Sequence, residues 1–277
     1  MDSQGSSSSP QRTRHLLFVA YDGSAYSGFQ QQQNAPSIAG HLDDALRQID
    51  PDASKVLGSS RTDAGVHARL QPVTFDTSRK IRSRGWVLAL TGLLPRNIAV
   101  LRASEVDRDF DPRKKPLWKV YRYRILRSPV EDPFLAHHAW RLGEKLDRPL
   151  MEQEARSLIG TFDFKAFRSS KDPRLDTVRT LTEVRISEAT DDPRCLDLWV
   201  HGDRFLYNMV RIIAGTIVDV GRGRLPPGAA LSALTGGSRL ALGVTAPARG
   251  LSLEHVELPD WGRDPWPETI PSFRPRS

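Results

Sequence analysis

Gly58-Ser59-Ser60-Arg61-Thr62-Asp63-Ala64-Gly65-Val66-His67-Ala68 is the stretch on which the reading of this chain turns. It sets a carboxylate, a guanidinium and an imidazole among small residues, with neither helical nor strand periodicity. A segment of that kind presents side chains rather than burying them. Gly58 and Gly65 allow tight or positive-φ backbone on either side of Asp63. Arg61 is near enough in sequence to hold Asp63 ionised, since an adjacent cation lowers a carboxylate pKa. Two readings of Asp63 stay open on these residues: a functional carboxylate on a presenting loop, or an Asx-turn in which Asp63 bonds its own backbone. His67 is either a ligand or base, or a local hydrogen bonder beside a turn.

Outward from this loop the chain alternates short strands and helices. His15 to Tyr21 is rich in strand formers and ends at the turn pair Asp22-Gly23. Ser37 can cap a helix whose residues Ile38, Leu42, Ala45, Leu46 and Ile49 share one face. Lys55 to Leu57 reads as a short strand into the loop, and Pro72 to Asp76 as a strand that begins at its proline. Gly85 to Leu94 reads as a helix stopping before Pro95. After Phe110-Asp111-Pro112-Arg113 a second such pattern begins. Val120 to Leu126 alternates, with Tyr121, Tyr123 and Ile125 opposite Arg122 and Arg124. Glu152 to Ile159 is helical, Cys195 to His201 is a strand, and Phe205 to Val220 is an apolar helix with Gly221 as its C-cap. Two halves of mixed strands and helices predict an α+β protein without close internal repeat. Four segments follow: a disordered Ser-rich tail over 1–12, halves over 13–112 and 113–258, and an irregular Pro-rich tail over 259–277, whose Trp261 and Trp266 can dock on the body.

Composition narrows the function classes. The 277 residues are 39% hydrophobic and 26% charged, as in a water-soluble globular protein. No apolar run approaches the roughly 20 residues that span a bilayer, and the N-terminus lacks the apolar core of a secretory signal. The single Cys195 excludes an internal disulfide and argues against a zinc cluster. These features point to the cytoplasm. The net charge of +7 suits either a polyanionic partner or a merely cationic surface. Clustering favours the former: Arg79, Lys80, Arg82 and Arg84 group together. So do Arg113, Lys114, Lys115, Lys119, Arg122, Arg124 and Arg127, interleaved with Trp118, Tyr121 and Tyr123. Such a stretch can hold phosphates and stack bases. Arg211 lies inside an apolar helix, so it faces a partner such as Asp63 or snorkels at a rim. Without further context Tyr121 and Tyr123 read as core aromatics.

The eight residues Arg61 to Ala68 resemble the signature of the tRNA pseudouridine synthase A family. The likeness extends over almost all of the predicted folded body. Tyr21 to Gln30 is similar to the family's first strand and loop, with Phe29 where a Trp is usual, and Ala39 stands where a Gln is common. Phe110 to Arg113, Tyr121-Arg122-Tyr123, Asp163 to Phe167, Phe205 to Arg211 and Ala246 to Leu253 each resemble a family segment. The resemblance implies two ferredoxin-like halves joined by a continuous antiparallel β-sheet, with helices on one side and a central cleft. It implies conversion of uridine to pseudouridine at positions 38–40 of the tRNA anticodon arm, by a homodimer, without cofactor or metal. Asp63 would be the catalytic carboxylate and Arg211 its partner, with Tyr121 and Leu253 walling the pocket; Arg61 and His67 are the further candidates for substrate contact. Rival readings are a pseudouridine synthase for another RNA, an RNA-binding module without catalysis, and a metal-dependent nuclease. The last needs convergent carboxylates that Asp63 lacks in sequence.

Overall fold

The structure is a computed structural model that describes residues 12–114, 116–259 and 262–267. The Ser-rich segment 1–11, Lys115, Trp261 and the end of the Pro-rich tail lie outside the described residues.

The first half opens with β1 (Thr13–Tyr21) and α1 (Ile38–Ile49), followed by β2 (Leu57–Gly58) and β3 (His67–Thr77). It closes with α2 (Ser83–Leu93) and β4 (Ile98–Val106). The expected cap is present on α1, where the Ser37 hydroxyl accepts from Gly40 N at 3.2 Å. Consecutive β1 residues Leu16, Leu17 and Phe18 are all fully buried, and neighbours on a strand point to opposite faces. Both faces of β1 are therefore covered. On one face Trp86 of α2 meets Phe75 at 4.9 Å and His15 at 5.6 Å. Burial pushes the His15 imidazole down to about 4.

The second half runs β5 (Trp118–Arg127), β6 (Trp140–Leu142), α3 (Arg148–Arg156), β7 (Gly160–Asp163), β8 (Val178–Glu188) and β9 (Cys195–Gly202). Then come α4 (Met209–Gly221), α5 (Ala229–Gly236), β10 (Leu251–Glu257) and β11 (Arg263–Trp266). Along the sheet the strands lie in the order β11-β4-β1-β3-β10-β5-β9-β8-β7. The architecture is α+β, as expected, but the sheet is not wholly antiparallel. Strand β10 lies parallel to β3 at Ser252–His67 and Leu253–Ala68, and β6 lies parallel to β5. Strand β10 is antiparallel to β5, with Leu253 opposite Tyr121. A strand from the end of the chain thus lies between those of the two halves, and the Asp63 loop feeds β3 at this junction.

Several boundaries differ from the sequence reading for identifiable reasons. Strand β3 begins at His67 and runs through Pro72. That proline falls where the neighbour on one side of β3 changes from β10 to β2, a break in pairing that tolerates a missing N–H. Helix α4 starts at Met209 because Asn208 takes φ 64°, in a turn closed by Met209 N donating to Leu206 O at 3.1 Å. Gly221 lies inside α4; Gly223, at φ 70°, is the glycine that turns the chain away. Helix α3 starts earlier than expected because Asp147 caps it, its carboxylate accepting from Leu150 N at 3.1 Å. The tail is not irregular throughout. Arg263–Trp266 pairs with β4, and Trp266 packs against the core.

Close packing at one glycine yields a stability prediction. A Cβ on Gly215 of α4 would stand 1.8 Å from the Val244 carbonyl oxygen. Gly215→Ala is expected to cost about 3 kcal/mol, at the upper end of overpacking. Urea unfolding should show a lower midpoint with an unchanged slope; an unmoved midpoint would mean the segment at Val244 shifts freely.

Candidate active site

Asp63 lines a cleft of about 710 Å³ together with residues of β2, β5 and β10 and of the turn before α4. The loop that carries it is shaped by contacts of its small residues. Gly65 takes φ 76°, and a Cβ on Gly58 would meet the Phe29 ring at 2.4 Å. Phe29 N donates to Thr62 O at 3.1 Å, and the Thr62 hydroxyl bonds the Tyr21 hydroxyl at 2.7 Å. The turn after Asp63 is closed by its backbone, with Val66 N donating to Asp63 O at 3.1 Å. That leaves the carboxylate for a distant partner, Arg211 Nη1, 3.4 Å from Oδ2. The Asx-turn reading is thereby set aside.

Arg211 reaches Asp63 from the first turn of α4. Its Nε donates to Ala246 O at 2.7 Å and its Nη1 to Asn208 Oδ1 at 3.0 Å. Three acceptors from three segments hold the guanidinium, and both side chains of the pair are mostly buried. Arg211 is therefore a partnered cation rather than a snorkelling one. Burial pushes the Asp63 pKa up, while the charge and hydrogen bond of Arg211 oppose that rise.

Tyr121 lines the same cleft from β5 and is only 9% exposed. Its ring meets Phe205 edge-on at 4.9 Å. Burial pushes its phenol up to about 12, eased by a hydrogen bond with Ser60 and raised further by the Asp63 charge. Tyr121 is thus a neutral wall of the cleft near neutral pH. Tyr123 is different: fully buried, it donates from its hydroxyl to Pro247 O at 2.8 Å as a core aromatic.

Three other candidates fall in different places. Arg61 is exposed on the cleft rim and makes no bond to Asp63, so Arg211 alone takes the role of carboxylate partner. Leu253 is fully buried and is not among the cleft-lining residues; Leu251, two residues earlier on β10, lines the cleft. His67 is buried and is not among the cleft-lining residues. Its Nδ1 accepts from Gly23 N at 3.1 Å and its Nε2 donates to Arg249 O at 3.2 Å. Asp22 and His138 complete a small cluster with it, Asp22 Oδ1 standing 3.1 Å from the same Nδ1.

The basic stretch after Phe110 is largely consumed by ion pairs. Arg122 bonds Glu254 at 3.0 Å, and Arg124 bonds Asp197 and Asp191, each at 2.8 Å. Arg122 and Arg124 thus lie paired with carboxylates on the sheet face opposite Tyr121 and Tyr123. Lys119 is the exception. It lines the cleft, and its Nζ donates to Ser59 O and Ser60 Oγ, both at 2.8 Å. Burial, with the nearby Arg174 charge, lowers its ammonium to about 8. In all, Arg61, Arg113, Lys119, Lys171 and Arg174 line the cleft, against Asp63 and Asp172. Lys119 was named only as one member of the basic cluster, and Asn208 and the carbonyl of Ala246 were not singled out by the sequence reading. A Lys two residues before a site tyrosine on one strand was the available signal for the first, since such residues share a face.

The family model for tRNA pseudouridine synthase matches residues 17–113 and 155–259. The chain belongs to the tRNA pseudouridine synthase family. Among similar curated proteins, tRNA pseudouridine synthase A of Geotalea daltonii is 39% identical over 240 residues, covering 87% of this chain and 97% of that protein. That of Halalkalibacterium halodurans is 40% identical over 236 residues, covering 85% and 89%. That of Moorella thermoacetica is 40% identical over 243 residues, covering 87% and 98%. The matched family segments contain Asp63, Phe205 and Arg211, and Tyr121 falls between them. Among the described residues no helix is long and apolar enough to cross a membrane.

Proposed function

We propose that this chain converts uridine to pseudouridine in tRNA, at positions 38–40 of the anticodon arm, with Asp63 as the essential carboxylate. The observation that carries the reading is the Asp63–Arg211 pair inside a cationic cleft of about 710 Å³, a size that suits one nucleotide. The reaction is an isomerisation. The N1–C1′ bond breaks, the uracil turns, a C5–C1′ bond forms, the C5 hydrogen leaves as a proton and N1 gains one. Nothing is oxidised and no group is imported, so no cofactor or metal is called for. Asp63 supplies the ionised carboxylate beside the ribose, either as nucleophile or as base. Tyr121 and Leu251 wall the base, and Arg211 favours the ionised form of Asp63. Extruding the uridine from its stack costs a few kcal/mol, which cationic contacts to the RNA backbone offset.

The same reading carries the family's two ferredoxin-like halves, divided near residue 112, a homodimer and a cytoplasmic setting. Support for the halves comes from the sheet, in which β1 to β4 and β5 to β9 flank β10. The test is modification mapping on unmodified tRNA transcripts. Product at positions 38–40 is expected. Product at other positions keeps the chemistry and overturns the target; tight binding with no product overturns the reaction.

A further inference from the structure

Lys119 is set apart from the other cations of the cleft by what it lacks. Arg113 bonds Asp111 at 2.8 Å, and Arg174 bonds Asp172. Arg61 and Lys171 are exposed at the rim, where water solvates them. Lys119 is drawn into the cleft wall, and its two bonded partners, Ser59 O and Ser60 Oγ, are neutral. Among the described residues no carboxylate forms an ion pair with it. A cation partly withdrawn from water without a counter-ion carries an electrostatic cost that an incoming anion relieves. An ammonium also has three N–H donors, and two are in use.

The position of this group gives the anion its identity and its effect. Lys119 and Tyr121 are two residues apart on β5, so they share a strand face, and both line the cleft. Ser60, which takes one of the Lys119 bonds, also bonds Tyr121, and it lies three residues before Asp63. Whatever binds the third N–H is therefore beside the base wall and tied to the carboxylate loop. The anion that RNA brings to every nucleotide is its phosphodiester.

We infer that Lys119 is the phosphate anchor of the cleft. Its third N–H takes a phosphodiester oxygen next to the target nucleotide, while the other two hold the Ser59–Ser60 segment leading to Asp63. This assignment rests on the RNA-directed reading of the cleft given above. It makes Lys119 a binding residue that also positions the loop.

Equilibrium binding of unmodified tRNA, measured across a salt series, tests it without requiring product. Lys119→Gln is expected to weaken Kd by about 5- to 10-fold and to lower the slope of log affinity against log salt by about 0.7–0.9, the loss of one phosphate contact. Lys119→Arg should restore the slope. An unchanged slope in a folded Lys119→Gln protein would leave only a structural tether and overturn the anchor. A second measurement needs no variant. Single methylphosphonate linkages, placed in turn around the target uridine, should reveal one neutralised phosphate that costs wild-type binding a similar factor. A wild-type protein indifferent to every such linkage would also overturn the proposal. Failure to form pseudouridine with the salt slope behaving as expected would count against the reaction instead.

Discussion

Asp63→Asn is expected to abolish pseudouridine formation, with a loss of at least about 10⁴-fold, as when an essential nucleophile is removed, while the folded protein still binds tRNA and melts no lower than its parent. The second half of that expectation follows from linkage. Burial outweighs Arg211 and leaves the Asp63 pKa above its ordinary 3.8. A group with a raised native pKa binds its proton more tightly in the native state than in the unfolded one. Stability is then lost as pH climbs from the ordinary value through the native one, so above both the ionised Asp63 burdens the fold. The neutral amide of the variant would carry no such burden. Arg211 would keep its bonds to Ala246 O and Asn208 Oδ1, so it is not left an orphan charge. Calorimetry at pH 7 beside product mapping checks both parts. Residual activity above about 1% would remove Asp63 from the chemistry, and a melting temperature several degrees lower would make the ion pair net stabilising.

How far the sequence reached depended on whether a feature was local. The α1 cap at Ser37 and the strand over Val120 to Leu126 depend on neighbours within a few residues, and both were legible. The Asp63 loop was legible as a presenting loop because its residues satisfy no helical or strand pattern. What it presents to was not: Arg211 lies 148 residues away in sequence, and resemblance rather than periodicity brought the two together. Arg61 misled because proximity in sequence is not proximity of charges: its side chain is exposed at the cleft rim, while the mostly buried Asp63 carboxylate pairs with Arg211. Leu253 and Leu251 share a strand face by parity, and the register even sets Leu253 opposite Tyr121; only the folded cleft shows that Leu251 is the one that lines it. The basic run after Phe110 misled for a similar reason. Its Arg122 and Arg124 alternate with Tyr121 and Tyr123, so they lie on the opposite sheet face, where Glu254 and Asp197 from other strands neutralise them. The parallel contact of β10 with β3 had no local signature at all. Leu251 to Glu257 alternates apolar and polar residues, a pattern that marks a strand but not the direction of its partner.

Arg211→Met should lower kcat/KM about 10²-fold near neutral pH, and the manner of the loss separates its electrostatic role from a structural one. In the parent, Arg211 opposes the rise that burial imposes on Asp63. With the guanidinium gone, burial acts unopposed and the Asp63 pKa rises further. If the reactive form is the carboxylate, activity grows as pH rises through that pKa, so the acid limb of the profile must move to higher pH in Arg211→Met. Part of the lost rate should return on the alkaline side. Arg211→Lys supplies charge but not the fork. An ammonium has no Nε and Nη1 pair to span Ala246 O and Asn208 Oδ1 at 2.7 and 3.0 Å, so it should restore the limb more fully than the rate. A pH–rate series on the three proteins, each with its melting temperature, resolves these contributions. A uniform loss at every pH, with the acid limb unmoved, would mean that Arg211 only fastens α4 to the Ala246 segment. A displaced limb would tie the charge on α4 directly to the ionisation of a carboxylate on the far side of the cleft.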